Sequence, residues 1–335
     1  MNSFGNKGMG NESVYSQGFA FCNYLTDRFG NDILPQTSKS ISNPFNYSIN
    51  KVLKNITGIN GEKLFVDWKL SLEEKYYNFK DYISDDIIKG EIIQSEGDVN
   101  ILPSWSPNGE SFAFLSNRSN ESFFQTDVYM FQLKDSTTTL IAKGIKTAVT
   151  WENDYMLIYS KLSEPDSRGS IYFDIYKYNI IENEEERLTY GARLTSPIFI
   201  PSQNKIAAIS NYDGTSNILI SDIDSINFQQ ITDYDDGSYI SSIDIMDNNL
   251  VFDLIDNHGR DIYSLDLVNY IITPLSVHYY DEQDPAKYNN GIVSSRDESG
   301  IFNLYINTDQ ESGYITNVLG GAFMPSVSKD GKNHL

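Results

Sequence analysis

Two hydrophobic periods divide the chain. From about residue 12 to about 80, apolar side chains recur near the 3.6-residue helical period. Val14, Tyr15, Phe19, Cys22, Leu25 and Phe29 form a first stripe, which Ser13 can cap and Gly30 can end. Asn43 and Pro44 have the form of a cap and first helical turn. Behind them Phe45, Ile49, Val52, Leu53 and Ile56 make a second stripe that stops at Gly58. Asn60 opens a third, with Leu64, Phe65, Trp68, Leu72 and Tyr76. Three short helices within residues 1–85 make a thin core, which reads as the end of a larger helical domain.

From about residue 92 the period becomes two, and a repeat emerges. The phrase Pro103-Ser-Trp105-Ser-Pro107-Asn-Gly109, followed by Phe112-Ala-Phe114, returns in weaker form along the chain. Trp151 leads to Ile158, Pro197-Ile-Phe199 to Ile206, and Ile243 to Leu250, each second strand opening seven residues after its anchor. Pro285-Ala-Lys287 leads to Ile292 through a turn two residues shorter, and Pro325-Ser-Val327-Ser-Lys-Asp-Gly331 starts a sixth copy. Third strands open with Asp127, Asp174, Asn217, Asp261 or Asn303 before two apolar residues, and fourth strands carry Thr189, Thr232 or Thr316. A repeat of 40–50 residues with four strands is the signature of propeller blades, which stack because one sheet cannot bury both faces alone. The expected fold is therefore mainly β: an incomplete six-bladed β-propeller over 92–335 behind the helical segment. Its blades are expected at about 92–144, 145–192, 193–238, 239–281 and 282–322, with a partial sixth at 323–335. Pro103, Trp105, Pro107, Gly109, Trp151, Pro197, Phe199, Pro325 and Gly331 read as residues of this repeat, with Trp105 packed between blades. An exposed edge is expected where the sixth blade belongs.

Composition adds exclusions. With 46 acidic against 25 basic residues the net charge is −21, which argues against nucleic acid as a partner. The single cysteine, Cys22, excludes an internal disulfide; between Phe21 and Tyr24 it reads as a buried structural thiol. No apolar run reaches the length of a transmembrane helix, and residues 2–8 hold no signal-peptide core. The chain is expected to be a fragment, cut at both ends.

The first repeat, Pro103-Ser-Trp105-Ser-Pro107-Asn-Gly109 with Phe112-Ala-Phe114 and Ser116-Asn-Arg118, resembles the WD40-like (PD40) repeat of TolB-like propellers, although Asn108 stands where that pattern has Asp. The resemblance covers about 92–335 and implies a binding platform for a protein or peptide in the bacterial periplasm or cell envelope. Tyr15-Ser-Gln-Gly18-Phe19-Ala20, with Tyr24-Leu25 and Phe29-Gly30, resembles the helix after the zinc site of gluzincin (peptidase MA-like) metallopeptidases. That resemblance covers roughly 12–78 and implies that Tyr15 stabilises an oxyanion. The alternative it raises is an accessory propeller of a zinc metallopeptidase whose HExxH half lies upstream.

The chain itself departs from that pattern. Its histidines, His258, His278 and His334, fall in the propeller and outside any zinc motif, so no metal or other cofactor is expected here, and zinc only in a longer protein. Asp233-Tyr-Asp235-Asp236-Gly237 misses the calcium-loop spacing and reads as a turn, and Glu182–Glu186 reads as a solvated hairpin tip. No nucleophile elbow is visible. A third alternative is the propeller of a serine oligopeptidase truncated before its hydrolase, which the helical segment ahead of the propeller makes less natural. The oligomeric state is left open.

Overall fold

The computed structural model describes residues 10–43, 47–84, 86–122 and 124–335, which fall into two units, 1–86 and 87–335. The Pro44–Phe45 first turn and the leader segment 2–8 lie outside the described residues.

Among the described residues of the first unit there are four helices, not three: α1 (Gly10–Phe29), α2 (Ile33–Ile41), α3 (Ile49–Thr57) and α4 (Gly61–Ser84). The first begins before the expected cap at Ser13. The additional helix, α2, escapes the pattern because Pro35 sits in its first turn, a place helices tolerate, and because only Ile33 in it is buried. Gly30 and Gly58 end their helices at positive φ, 87° and 79°. Asn60 Oδ1 accepts the Glu62 N–H at 2.8 Å at the start of α4. Leu25, Ile33, Leu53 and Leu64 form the core, flanked by a cluster of Phe21, Phe65 and Trp68. Cys22 is half-buried rather than buried.

The second unit is five four-stranded antiparallel sheets, each a simple meander from its inner to its outer strand. Blade one holds β1 (Asn100–Trp105), β2 (Ser111–Ser116), β3 (Asp127–Gln132) and β4 (Thr137–Lys143). Blade two holds β5 (Thr150–Asn153), β6 (Met156–Leu162), β7 (Phe173–Asn179) and β8 (Glu184–Arg187). Blade three comprises β9 (Leu194–Ile200), β10 (Lys205–Ser210), β11 (Asn217–Asp222) and β12 (Gln229–Gln230). Blade four comprises β13 (Tyr239–Met246), β14 (Asn249–Ile255), β15 (Arg260–Asp266) and β16 (Ile272–Ser276); blade five, β17 (Glu282–Tyr288), β18 (Gly291–Arg296), β19 (Asn303–Asn307) and β20 (Ser312–Tyr314). The acidic run is part strand: Glu185 lies in β8, where it accepts hydrogen bonds from Tyr159 and Lys161.

Second strands are buried on both faces, as β2 is over its whole length, because neighbouring blades cover them. Leu115, Val128 and Met130 of blade one meet Trp151, Leu157 and Tyr159 of blade two. Ile158 and Ile175 then meet Leu194, Phe199 and Ile206 of blade three. Each such side chain contributes roughly 2 kcal/mol of apolar burial, so the stacking of blades stabilises the unit.

Within each blade the acidic or amide residue opening the third strand is a buried latch. Asp127, Asp174, Asn217 and Asp261 accept the N–H of Gly144, Gly191, Tyr234 and His278, always seventeen residues on, at 2.8–3.0 Å. In blades two, three and five a threonine two residues past the end of the fourth strand joins in. Thr189, Thr232 and Thr316 donate to Asp174, Asn217 and Asn303, and accept the N–H of the residue after each. The polar ends of the chain segment between two blades are thus satisfied without water.

The sixth copy forms a hairpin only. Ser326 and Leu335 exchange backbone hydrogen bonds of 3.1 and 2.8 Å, and Leu335 packs against Phe112, Phe114, Tyr129 and Phe131 of blade one. Trp105 Nε1 donates to Ser326 O at 3.3 Å, the same link that Trp151 Nε1 makes to Ser104 O at 3.0 Å one blade on. The expected open edge is therefore bridged at its inner tier. Outside it, Ile88 pairs with Asn317 of blade five while Gln94 and Glu96 hold Arg118 of blade one.

Candidate functional site: the axial channel

The inner strands enclose a cavity of about 1030 Å³ that reaches both faces of the ring. Its wall comes from the same stretch of every repeat, Leu102–Pro107, Lys146–Trp151, Thr195–Phe199, Tyr239–Ile245, Gln283–Lys287 and Met324–Gly331.

A β-bulge shapes that wall. In β1, Leu102 and Pro103 together face Phe114; in β9, Ser196 and Pro197 face Ala208; in β17, Asp284 and Pro285 face Ser294. The first residue of each pair is left-handed, with φ of 52°, 48° and 54°, and Met324 before Pro325 repeats this at 55°. Such backbone costs about 1–3 kcal/mol per residue and survives only where the surroundings enforce it. Proline at the second position has no N–H to leave unpaired at the break in the ladder.

Blade four solves the same problem differently. Its bulge, Ser241 and Ser242, faces Asp253, whose Oδ1 accepts both bulge N–H groups at 3.0 and 2.8 Å while Oδ2 accepts Ser241 Oγ at 2.6 Å. Counting from this bulge, Asp244 and not Ile243 occupies the anchor place held by Trp105, Phe199 and Lys287. The sequence spacing hid this because β13 and β14 join through a tighter turn. Asp244 Oδ2 accepts the Lys287 N–H at 3.0 Å, and burial pushes its carboxyl above the ordinary range.

Asp284 is a second perturbed carboxyl of the wall. Burial, and secondly the neighbouring Asp253 charge, push it up to about 6, against the lowering influence of the Met324 N–H and of Arg260. Asp244, Asp284 and Asp330 thus sit among seryl and threonyl hydroxyls, with Lys146, Arg260 and Lys329 also on the wall.

The repeat residues named from sequence distribute along this channel. Pro103, Trp105, Pro107, Trp151, Pro197, Phe199, Pro325 and Gly331 all line it, and Gly109 lies in the turn after β1 at φ 71°. Tyr15 lies in the helical unit, 79% exposed on α1. Asp253, Asp284 and the bulges were missed; the X-Pro pairs ending at Pro103, Pro197, Pro285 and Pro325 were the available signal, and blade four offers none. Among the described residues no group of three or more His, Cys, Asp or Glu side chains could hold a metal ion. No described helix is long and apolar enough to cross a membrane.

No family model matches this sequence, and no curated protein matches it. Solved structures do share the fold. TolB from Acinetobacter baumannii superposes with a TM-score of 0.58 at 16% identity, over 70% of this chain and 58% of that one. An oligogalacturonate lyase in complex with manganese gives 0.51 at 14% identity, over 72% and 74% of the two chains. Kuenenia stuttgartiensis hydrazine synthase gives 0.51 at 13%, over 68% and 40%. The chain thus spans less than two thirds of the TolB structure it resembles. At these identities the likeness establishes the fold, a TolB-like propeller, and nothing about chemistry.

Proposed function

We propose that the propeller is a non-catalytic binding platform of the bacterial cell envelope, taking an extended segment of a protein or peptide partner into its axial channel. The observation that carries this reading is the channel itself. Its volume of about 1030 Å³ matches that of a short chain segment, and its bulged inner strands interrupt the regular ladder where a peptide would lie. Pro103, Pro197 and Pro325 act here as structural residues that hold the bulges, and Trp105 and Trp151 as the ties between blades. A photo-crosslinking residue at Ala148, on the channel wall, tests the proposal against one at Thr139 on the outer strand β4. Crosslinks to envelope protein from position 148 and none from 139 are expected; the reverse pattern would overturn the reading.

A second reading is favoured by the helical unit: an accessory propeller to a zinc peptidase. Tyr15 and Phe19, one helical turn apart on α1, are 79% and 69% exposed, and a Cβ at Gly18 between them would meet nothing. This leaves one face of the resemblance-bearing helix free to complete a site in which Tyr15 stabilises an oxyanion. Chelator-sensitive peptide hydrolysis by a longer protein carrying a zinc motif, lowered in kcat by Tyr15→Phe, would support it; unchanged kcat would reject the role of Tyr15.

A further inference from the structure

We infer that the channel mouth at blades two and three is a carboxylate-recognition site built on Arg193; this inference rests on the platform reading above. Arg193 is the residue before β9, at the end of the ring where inner strands begin, and two residues before Thr195 of the channel wall. Its guanidinium lies 4.9 Å from the Tyr172 ring centroid and 5.2 Å from that of Tyr212. Tyr172 precedes Phe173 and Tyr212 follows Asn211, both residues of the same wall. The sandwich therefore stands at the rim.

What distinguishes Arg193 is a guanidinium set on two aromatic rings with no counter-charge; Arg168 and Arg260 also lack an ion pair among the described residues, but neither lies over a ring. Arg118, Arg187 and Arg296 of the propeller are paired with Glu96, Asp174 and Glu282. Arg193, in a chain of net charge −21, has no hydrogen bond or ion pair through its guanidinium among the described residues. The acids beside the two tyrosines in sequence are otherwise engaged: Asp213 accepts the Thr215 N–H at 3.1 Å, and Asp174 is the buried latch of blade two. Lys146, also on the wall, is exposed and likewise without an ion pair among the described residues.

The chemistry follows from the geometry. Two aromatic faces hold a planar guanidinium but use none of its five N–H donors, which remain a rigid fork matched to a carboxylate. Arginine flanked by tyrosine, with Tyr212 73% exposed, is also the composition of interface hot spots. The ligand class is a peptide bearing a carboxylate at the segment that enters the channel, either an Asp or Glu side chain or the C-terminal group.

The test is a set of fluorescein-labelled octapeptide pools, read by polarisation against the full chain. The pools are acidic with amidated C-termini, neutral with free C-termini, neutral and amidated, and lysine-rich. Carboxylate-bearing pools should bind at least tenfold tighter than the neutral amidated pool. Whichever of the two does so identifies the source. Arg193→Gln should erase that preference and Arg193→Lys should restore part of it, since lysine keeps charge but not the fork. Ala148→Trp, which fills the channel, should weaken all binding. Binding of no pool, or binding indifferent to Ala148→Trp, would overturn the platform reading and this site with it. Binding that Ala148→Trp blocks, but that ignores peptide carboxylates or Arg193→Gln, would overturn the carboxylate site alone. Because Arg193 is exposed, an unchanged melting curve of Arg193→Gln will separate loss of binding from loss of fold.

Discussion

At the scale of single residues, Asp284 makes the folded state sensitive to pH. Its carboxyl is pushed from 3.8 up to about 6, so between those values the folded chain holds a proton that the unfolded chain has released. Stability must then fall as pH rises from about 4 to 6, the opposite of an ion-paired aspartate. The shift corresponds to at most about 3 kcal/mol. Asp284→Asn removes the ionisation while keeping an acceptor for the Met324 N–H, and should stabilise the protein at pH 7 by about 1–3 kcal/mol. Denaturant melts at pH 4.5 and 7 check this. The variant should gain at pH 7 and gain far less at pH 4.5, whereas equal effects at both values would mean that desolvation of Asp284 is not the cause. Asp253→Asn should move the same slope to lower pH, because the Asp253 charge is the second cause of the shift.

At the scale of the element, the inner strand shows why some of the site was legible in the sequence and some was not. Strand order, blade count and the hairpin after each anchor follow from period and spacing, and the pairing of Trp105 with Phe112 and of Phe199 with Ile206 obeys the seven-residue offset. The Asp/Asn at the third strand was visible as a repeat too, since a buried latch tolerates few residue types. Helix α2 was not, because its burial is too thin to leave a stripe. The bulge of blade four was hidden for a different reason. Three blades mark the bulge with proline, while blade four replaces the proline by a carboxylate on the neighbouring strand, a solution that only the register reveals. This makes a contrast that can be measured. Alanine already occupies the facing position in blade three, at Ala208, where Pro197 supplies no N–H to satisfy. Asp253→Ala would instead orphan two N–H groups and the Ser241 hydroxyl, and should cost about 2–4 kcal/mol in chemical denaturation. Ser294→Ala is a poorer comparison, since that hydroxyl binds Glu282. A loss below about 0.5 kcal/mol for Asp253→Ala would mean that the bulge N–H groups find other acceptors.

At the scale of the molecule, everything depends on closing a ring from repeats that contact only their neighbours. Blades one to five each cover the next, so the outward face of blade one is the one surface that no preceding blade can bury. Phe112, Phe114, Tyr129 and Phe131 there are nonetheless between 3% and 6% exposed, a degree of burial that four large aromatic side chains do not reach on an open face. The sixth hairpin supplies part of the cover through Leu335 and the Trp105–Ser326 hydrogen bond, and Arg118 spreads over the Phe114 and Tyr129 rings from the segment at 94–96 that holds it. The hairpin is thus expected to act as the clasp of the ring. Removing residues 323–335 would uncover Trp105 and the aromatic cluster and forfeit the Leu335 contacts, a loss of roughly 3 kcal/mol. For a body of this size that should lower Tm by about 6–12 °C. The damage should also be local: hydrogen exchange ought to quicken first in β1 to β3 and least in blade three, on the far side of the ring. Trp105→Phe should reproduce the local effect at smaller amplitude, and Trp151→Phe, which breaks the same kind of link between two complete blades, should quicken exchange at blades one and two instead. Uniform acceleration across all five blades after the truncation would show that the unit unfolds as a single cooperative block. An unchanged Tm would show that the ring stands without its clasp.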